Sequence, residues 1–197
     1  MFIQIIQGKC TKQEECRAMG ERWVSELGPG ATGWLGGTYG FTDDDQFLGI
    51  VRFESRQAAD ENAARPEQGA WWAEMEKMFD GPVTFHDCDD VTLMMGGGSD
   101  DAGFVQVLQG KVDDAATLKT MATQTDELHK MRPEILGGTL CIEADGTFTE
   151  TIAFTDESSA RTGEKTEMPA DVRQALESAM HDVSYYDLHH PWFASKG

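Results

Sequence analysis

Two glutamines and a histidine stand out chemically from their surroundings. Gln4 falls inside the apolar run Phe2-Ile3-Gln4-Ile5-Ile6, and Gln106 inside Phe104-Val105-Gln106-Val107-Leu108. Alternation along a strand puts each amide on the same face as the apolar residues two positions away. Burying an amide without partners costs about 1–3 kcal/mol. Each glutamine is therefore either a structural group bonded to backbone or to its twin, or a polar group lining a pocket between sheet and helices. His86, between Phe85 and Asp87, can act as general base, haem ligand or metal ligand near neutral pH. We take Gln4 and His86 as candidate catalytic groups and Gln106 as a candidate for substrate binding.

Trp23, Trp34, Trp71 and Trp72 all fall in the first half of the chain, where the second half has smaller or polar residues, such as Arg173 for Trp72. That surplus places an expected pocket in the first half, with simple filling of core volume as the alternative. Arg52 is the one basic residue of its strand and is matched by Ala153. It could meet an anionic substrate or pair with an acid. These five residues join Gln106 as candidate substrate-binding groups.

Other motifs carry less. His181 and the pair His189-His190 belong to no carboxylate-histidine set at metal-binding spacing, so no metal site is expected. Cys10, Cys16, Cys88 and Cys141 form no Cys-x-x-Cys pair and read as small buried residues or reduced thiols. Asp43-Asp44-Asp45 corresponds to Ala144-Asp145-Gly146 and reads as a hairpin turn, not a calcium loop. Gly96-Gly97-Gly98 lacks the Lys-Ser/Thr of a phosphate loop. Leu-Gly-Gly-Thr occurs at 35–38 and again at 136–139, where paired glycines in a strand imply a bulge or a close backbone approach.

The elements that must position these residues are written twice. Phe2-Ile3-Gln4-Ile5-Ile6-Gln7-Gly8-Lys9 returns as Phe104-Val105-Gln106-Val107-Leu108-Gln109-Gly110-Lys111, and Phe47 and Phe53 return as Phe148 and Phe154. Carried to the last strand, the same offset matches Phe85 to Tyr186 and His86 to Asp187. This is an internal duplication. Each copy reads as strand, helix, hairpin, broken helix and strand, with the break at Arg65-Pro66 in the first copy. The last strands are expected over 83–93 and 182–189. The order β-α-β-β-α-β is the split βαβ or ferredoxin-like unit. The predicted organisation is repeat one over 1–95, a glycine-rich linker over 96–102 and repeat two over 103–197. The fold class is α+β. A sheet with helices on one face must bury the other face, and the second copy is the expected cover.

This pattern, together with Arg65-Pro66-Glu67 ahead of Trp71-Trp72 and Phe53-Glu54-Ser55 at a strand end, resembles the dimeric α/β-barrel superfamily that includes antibiotic-biosynthesis-type monooxygenases. The resemblance implies two repeats packed sheet to sheet as an intramolecular barrel, a fused pseudo-dimer that is a monomer or dimerises again. It implies a small-molecule ligand and, as an activity, cofactor-independent monooxygenation of an apolar or aromatic substrate. Haem binding or degradation is the alternative it offers, since haem-degrading members carry an amide on the first strand. A non-catalytic scaffold is the third reading.

A chain of 197 residues with formal net charge −19 and no basic cluster is a poor ligand for nucleic acid or anionic membranes. No apolar run reaches the roughly 20 residues of a membrane helix. The N-terminal Met1-Phe2-Ile3-Gln4 lacks the charged start of a signal peptide, so the expected location is the cytoplasm.

Overall fold

The computed structural model describes residues 1–196, without the side chains of 125–127. Its elements run β1 (Phe2–Lys9), α1 (Gln13–Glu26), β2 (Trp34–Phe41), β3 (Gln46–Phe53), α2 (Arg56–Ala63), α3 (Pro66–Met75), β4 (Thr84–Cys88) and β5 (Asp90–Met94). They continue as β6 (Phe104–Val112), α4 (Ala115–Thr123), α5 (Thr125–Met131), β7 (Ile135–Ile142), β8 (Thr147–Phe154), α6 (Glu157–Gly163), α7 (Ala170–Ala179), β9 (Met180–Leu188) and β10 (Trp192–Ser195).

Local chemistry sets the boundaries. Ser55, Asp114 and Asp156 cap α2, α4 and α6 by accepting from the backbone N–H three residues on. Pro66 opens α3 at a position where its missing N–H costs nothing. The hairpins turn through Asp45 (φ 65°) and Gly146 (φ 81°), the left-handed conformation that Asp and Gly tolerate.

Two five-stranded antiparallel sheets result, in the orders β10-β2-β3-β1-β4 and β5-β7-β8-β6-β9. Each contains the four-stranded ferredoxin-like order plus one added edge strand, so the α+β duplication is present in the fold. The compact units are Met1–Asp89 with the segment from Trp192 onward, and Asp90–Pro191. The expected single strand over 83–93 is thus two strands: β4 pairs with β1, and after Asp89 the chain continues as β5 against β7. After β9 the chain likewise gives up its last strand, β10, to the first sheet. Pro191, which cannot donate to a ladder, lies at that break.

The repeated glycines make room for these added strands. A β-carbon on Gly36 (φ 142°) would come within 2.5 Å of the Ala194 carbonyl in β10, and one on Gly137 (φ 154°) would strike the Gly97 carbonyl after β5. Both glycines sit at a bulge against the neighbouring strand.

In the first unit the helix-facing side of the sheet packs Phe2, Val51 and Phe53 with Trp23, Leu27 and Trp34. In the second it packs Phe104, Leu108, Leu140, Phe148 and Phe154 with Leu118, Ala122 and Ala160. The other face of each sheet is apolar too, with Ile3, Ile5 and Leu48 buried in the first and Val105, Val107 and Leu188 in the second.

Candidate functional site

Strand register decides which candidate residues can act together. Gln4 lies opposite Asp87, and Ile5 opposite His86. Adjacent strand residues face opposite ways, so Gln4 points to the helix layer and His86 to the other side. The structure does not bring these two together. Gln4 Nε2 instead donates to Asp87 Oδ1 at 2.9 Å. Arg56 from the first turn of α2 reaches Asp89 at 2.8 Å and lies over the Phe2 ring, 4.7 Å from its centre. Arg52 is paired in register with Ile3, on the face away from the helices.

The four tryptophans do come together, as part of the packed helix layer of the first unit. Trp23 meets Trp34 edge-on at 5.1 Å and Trp71 at 6.5 Å, and Trp71 meets Trp72 at 6.1 Å. Trp23 Nε1 donates to Gln68 and Trp71 Nε1 to the Met19 carbonyl. Phe47, Phe79, Tyr39 and Trp192 continue the ring-to-ring contacts along the layer. A layer so filled is a core.

In the second unit Gln106 lies opposite Asp187 and donates to it at 2.9 Å, and it approaches Glu164 at 3.4 Å. Arg161 of α6 bonds Asp187 and Glu164 and stacks over Phe104, 5.2 Å from the ring centre. Asp187 holds the guanidinium well above its ordinary pKa, and Glu157 is pulled below its ordinary range by His189, whose Nδ1 lies 2.7 Å away. The two units thus repeat one arrangement: first-strand amide, last-strand Asp, and an arginine over the first-strand Phe. The register corrects the sequence alignment by one position, since Asp87, not His86, is the counterpart of Asp187. Asp87 and Asp187 were missed for that reason, since a one-residue slip sends every side chain to the wrong face; Arg56 and Arg161 were missed because they stand at different positions of their helices.

The same unit contains an open cleft of about 630 Å³ between α7, β9 and the connection at 164–169. Leu176, Met180, Val183 and Tyr185 give it an apolar wall, and Arg132, Lys165 and Arg173 supply cations beside Glu164, Glu167 and Glu177. Tyr185 begins a transverse row across the sheet: Tyr185 opposite Leu108, Leu108 opposite Glu150, Glu150 opposite Leu140. Glu150 therefore stands on the helix-facing side, between two core leucines across the sheet and between Phe148 and Ile152 along its strand. Among the described residues it has no hydrogen-bond or ion-pair partner, and burial alone pushes its carboxyl up to about 7. Its counterpart in the first unit is Gly49, where Phe47 and Tyr39 close the space, each within 3.2 Å of where a β-carbon would be. Sequence reasoning missed Glu150, although its period-two register with Phe148, Ile152 and Phe154 was a readable signal.

No family model and no curated relative matches the sequence. Solved structures do match over the whole chain. A candidate monooxygenase from Fusobacterium nucleatum superposes with a TM-score of 0.77 at 12% identity, covering 100% of this chain and 94% of that one. The chain thus shares its duplicated α+β fold with that structure over its whole length. A candidate monooxygenase from Lactobacillus acidophilus gives 0.73 at 15% identity, covering 100% and 96%. An anthrone oxidase-like protein gives 0.66 at 10%, covering 100% and 93%.

The haem alternative, in the form the sequence suggests, calls for a histidine facing an apolar pocket with an amide beside it. Here Gln4 and His86 face opposite ways, and the cleft lining contains no histidine. Gln4 and His86 thus do not form that histidine–amide pair. Among the described residues no cluster of three His, Cys, Asp or Glu side chains could hold a metal ion, and no helix is long and apolar enough to cross a membrane.

Proposed function

We propose that the chain is a small-molecule enzyme of the cofactor-independent monooxygenase type, with its substrate held in the helix-to-sheet layer of the second unit. The cleft of about 630 Å³ is the observation that carries this reading, because its size and apolar wall suit a flat ligand of two or three rings. Its charged rim offers handles for polar ring substituents, and the first unit has its equivalent layer filled with aromatic side chains. The likeness to an anthrone oxidase-like protein makes anthrone the natural first probe.

The test is oxygen uptake by the purified protein with anthrone, with a chelator present and no flavin added. The expected result is consumption of one O2 per anthrone and formation of anthraquinone above the uncatalysed rate. An uncatalysed rate with protein present, together with no calorimetric heat of anthrone binding, would overturn the proposal.

A further inference from the structure

Resting on that reading of the second unit, we infer that Glu150 is its catalytic base, taking a proton from a weakly acidic carbon or phenolic oxygen of a planar apolar substrate. A carboxylate on an apolar sheet face, without a partner among the described residues, is costly to keep unless the site uses it. Leu176, Met180 and Val183, which line the cleft, also pack on the cluster whose Leu108 and Leu140 flank Glu150. Tyr185 at the cleft and Glu150 stand in one transverse row on this face, with Leu108 between them, so a substrate seated over Leu108 would bridge the cleft and the carboxylate. Duplication supplies an internal control, because Gly49 occupies the same place in the first unit, under Tyr39 and Phe47.

Titratable groups on the surrounding elements are directed elsewhere. Lys119 of α4 pairs with Asp90, while Glu157 and Arg161 of α6 pair with His189 and Asp187. On β9, His181 bonds Asp113. None of these, nor His129 and Lys130 of α5, nor Asp171, Arg173 and Glu177 of α7, contributes to the shift of Glu150, which burial alone causes. A carboxyl titrating near 7 suits proton abstraction at neutral pH.

The step balances with O2 as oxidant. Glu150 takes one proton from the substrate CH2, and the carbanion reduces O2, forming a C–O bond. The resulting peroxide anion takes that proton back. Glu150 then removes the second C–H proton as the O–O bond breaks and hydroxide departs, leaving C=O; that proton and the hydroxide make water.

Anthrone under argon separates this inference from the reading beneath it, since deprotonation can be watched without oxidation. Bound to the wild-type protein, anthrone should ionise to its more conjugated anion, with a new long-wavelength absorbance that rises with pH through about 7. Glu150→Gln should still bind anthrone by calorimetry, show no such absorbance, and lose at least about a hundredfold in aerobic turnover. Equal ionisation or turnover in Glu150→Gln would overturn the role of Glu150 and leave the site standing. Absence of binding to the wild type would overturn both. Isotope-edited carbonyl NMR of the wild-type protein guards against misfolding of the variant: a Glu150 carboxyl titrating near the ordinary 4.5 would also refute the inference.

Discussion

Replacing Glu150 by Gln should make the protein more stable at high pH and leave it nearly unchanged at low pH. In the folded chain this carboxyl titrates at about 7, against an ordinary 4.5 when unfolded. Between those values the unfolded state gives up a proton that the folded state keeps, so stability falls as pH rises. The gap is worth about 3 kcal/mol at full separation. Residual solvent contact of the part-buried side chain lowers the expected value to about 2 kcal/mol. Asp145, held low by Lys111, and Asp156, held low by the Ser159 backbone and hydroxyl, act in the opposite direction, losing stability as pH falls. Comparing two proteins that share those groups cancels them. Urea unfolding of wild type and Glu150→Gln from about pH 4 to pH 8 should therefore show a difference that opens by about 2 kcal/mol in favour of the variant. A difference that stays flat within about 0.5 kcal/mol would mean that Glu150 is ionised and solvated when folded, and the reasoning fails.

The duplicated amide–carboxylate pair gives a matched experiment. Asp187 is 29% exposed beside an Arg161 that is 35% exposed, whereas Asp87 and Arg56 are 43% and 41% exposed. Asp187→Asn should cost about 1–3 kcal/mol in urea unfolding and Asp87→Asn less than about 1, with equal losses arguing against the ranking. Glycines divide as sharply: Gly36→Ala and Gly137→Ala should each lower the melting temperature by more than about 4 °C, since backbone atoms occupy the methyl position. Gly20→Ala and Gly69→Ala, inside helices with nothing within 4 Å, should each stabilise by about 0.5–1 kcal/mol in denaturant titrations.

Much of the fold was legible because duplication let each half check the other. The strand pattern of Phe2–Lys9 and its copy at 104–111, the helix break at Arg65-Pro66 and the two hairpins all follow from local chemistry that a sequence displays. The destination of the last strands did not follow, since β4 and β5 read as one apolar stretch and the change of partner at Asp89 is a long-range event. Alignment of Phe85 with Tyr186 failed because aromatic similarity outweighed a one-residue slip between the hairpin and the last strand, and that slip hid the matching Asp87 and Asp187. The tryptophans were conspicuous for the bulk that lets them fill the first layer. Glu150 was inconspicuous in a chain rich in acids, and only its register on an apolar face sets it apart.

The exchange of edge strands inverts the order in which the halves can be completed during synthesis. Everything that builds the second sheet lies between Asp90 and Leu188, so that sheet can close as soon as its own residues have been made. The first sheet waits for Trp192–Ser195, although β2 was finished at Phe41. At 5–20 residues per second, the roughly 150 intervening residues leave one edge of β2 uncovered for about 8–30 s. Open edges of this kind recruit foreign strands. The unit made earlier is thus the one sealed later, and the four residues Trp192–Ser195 do the sealing.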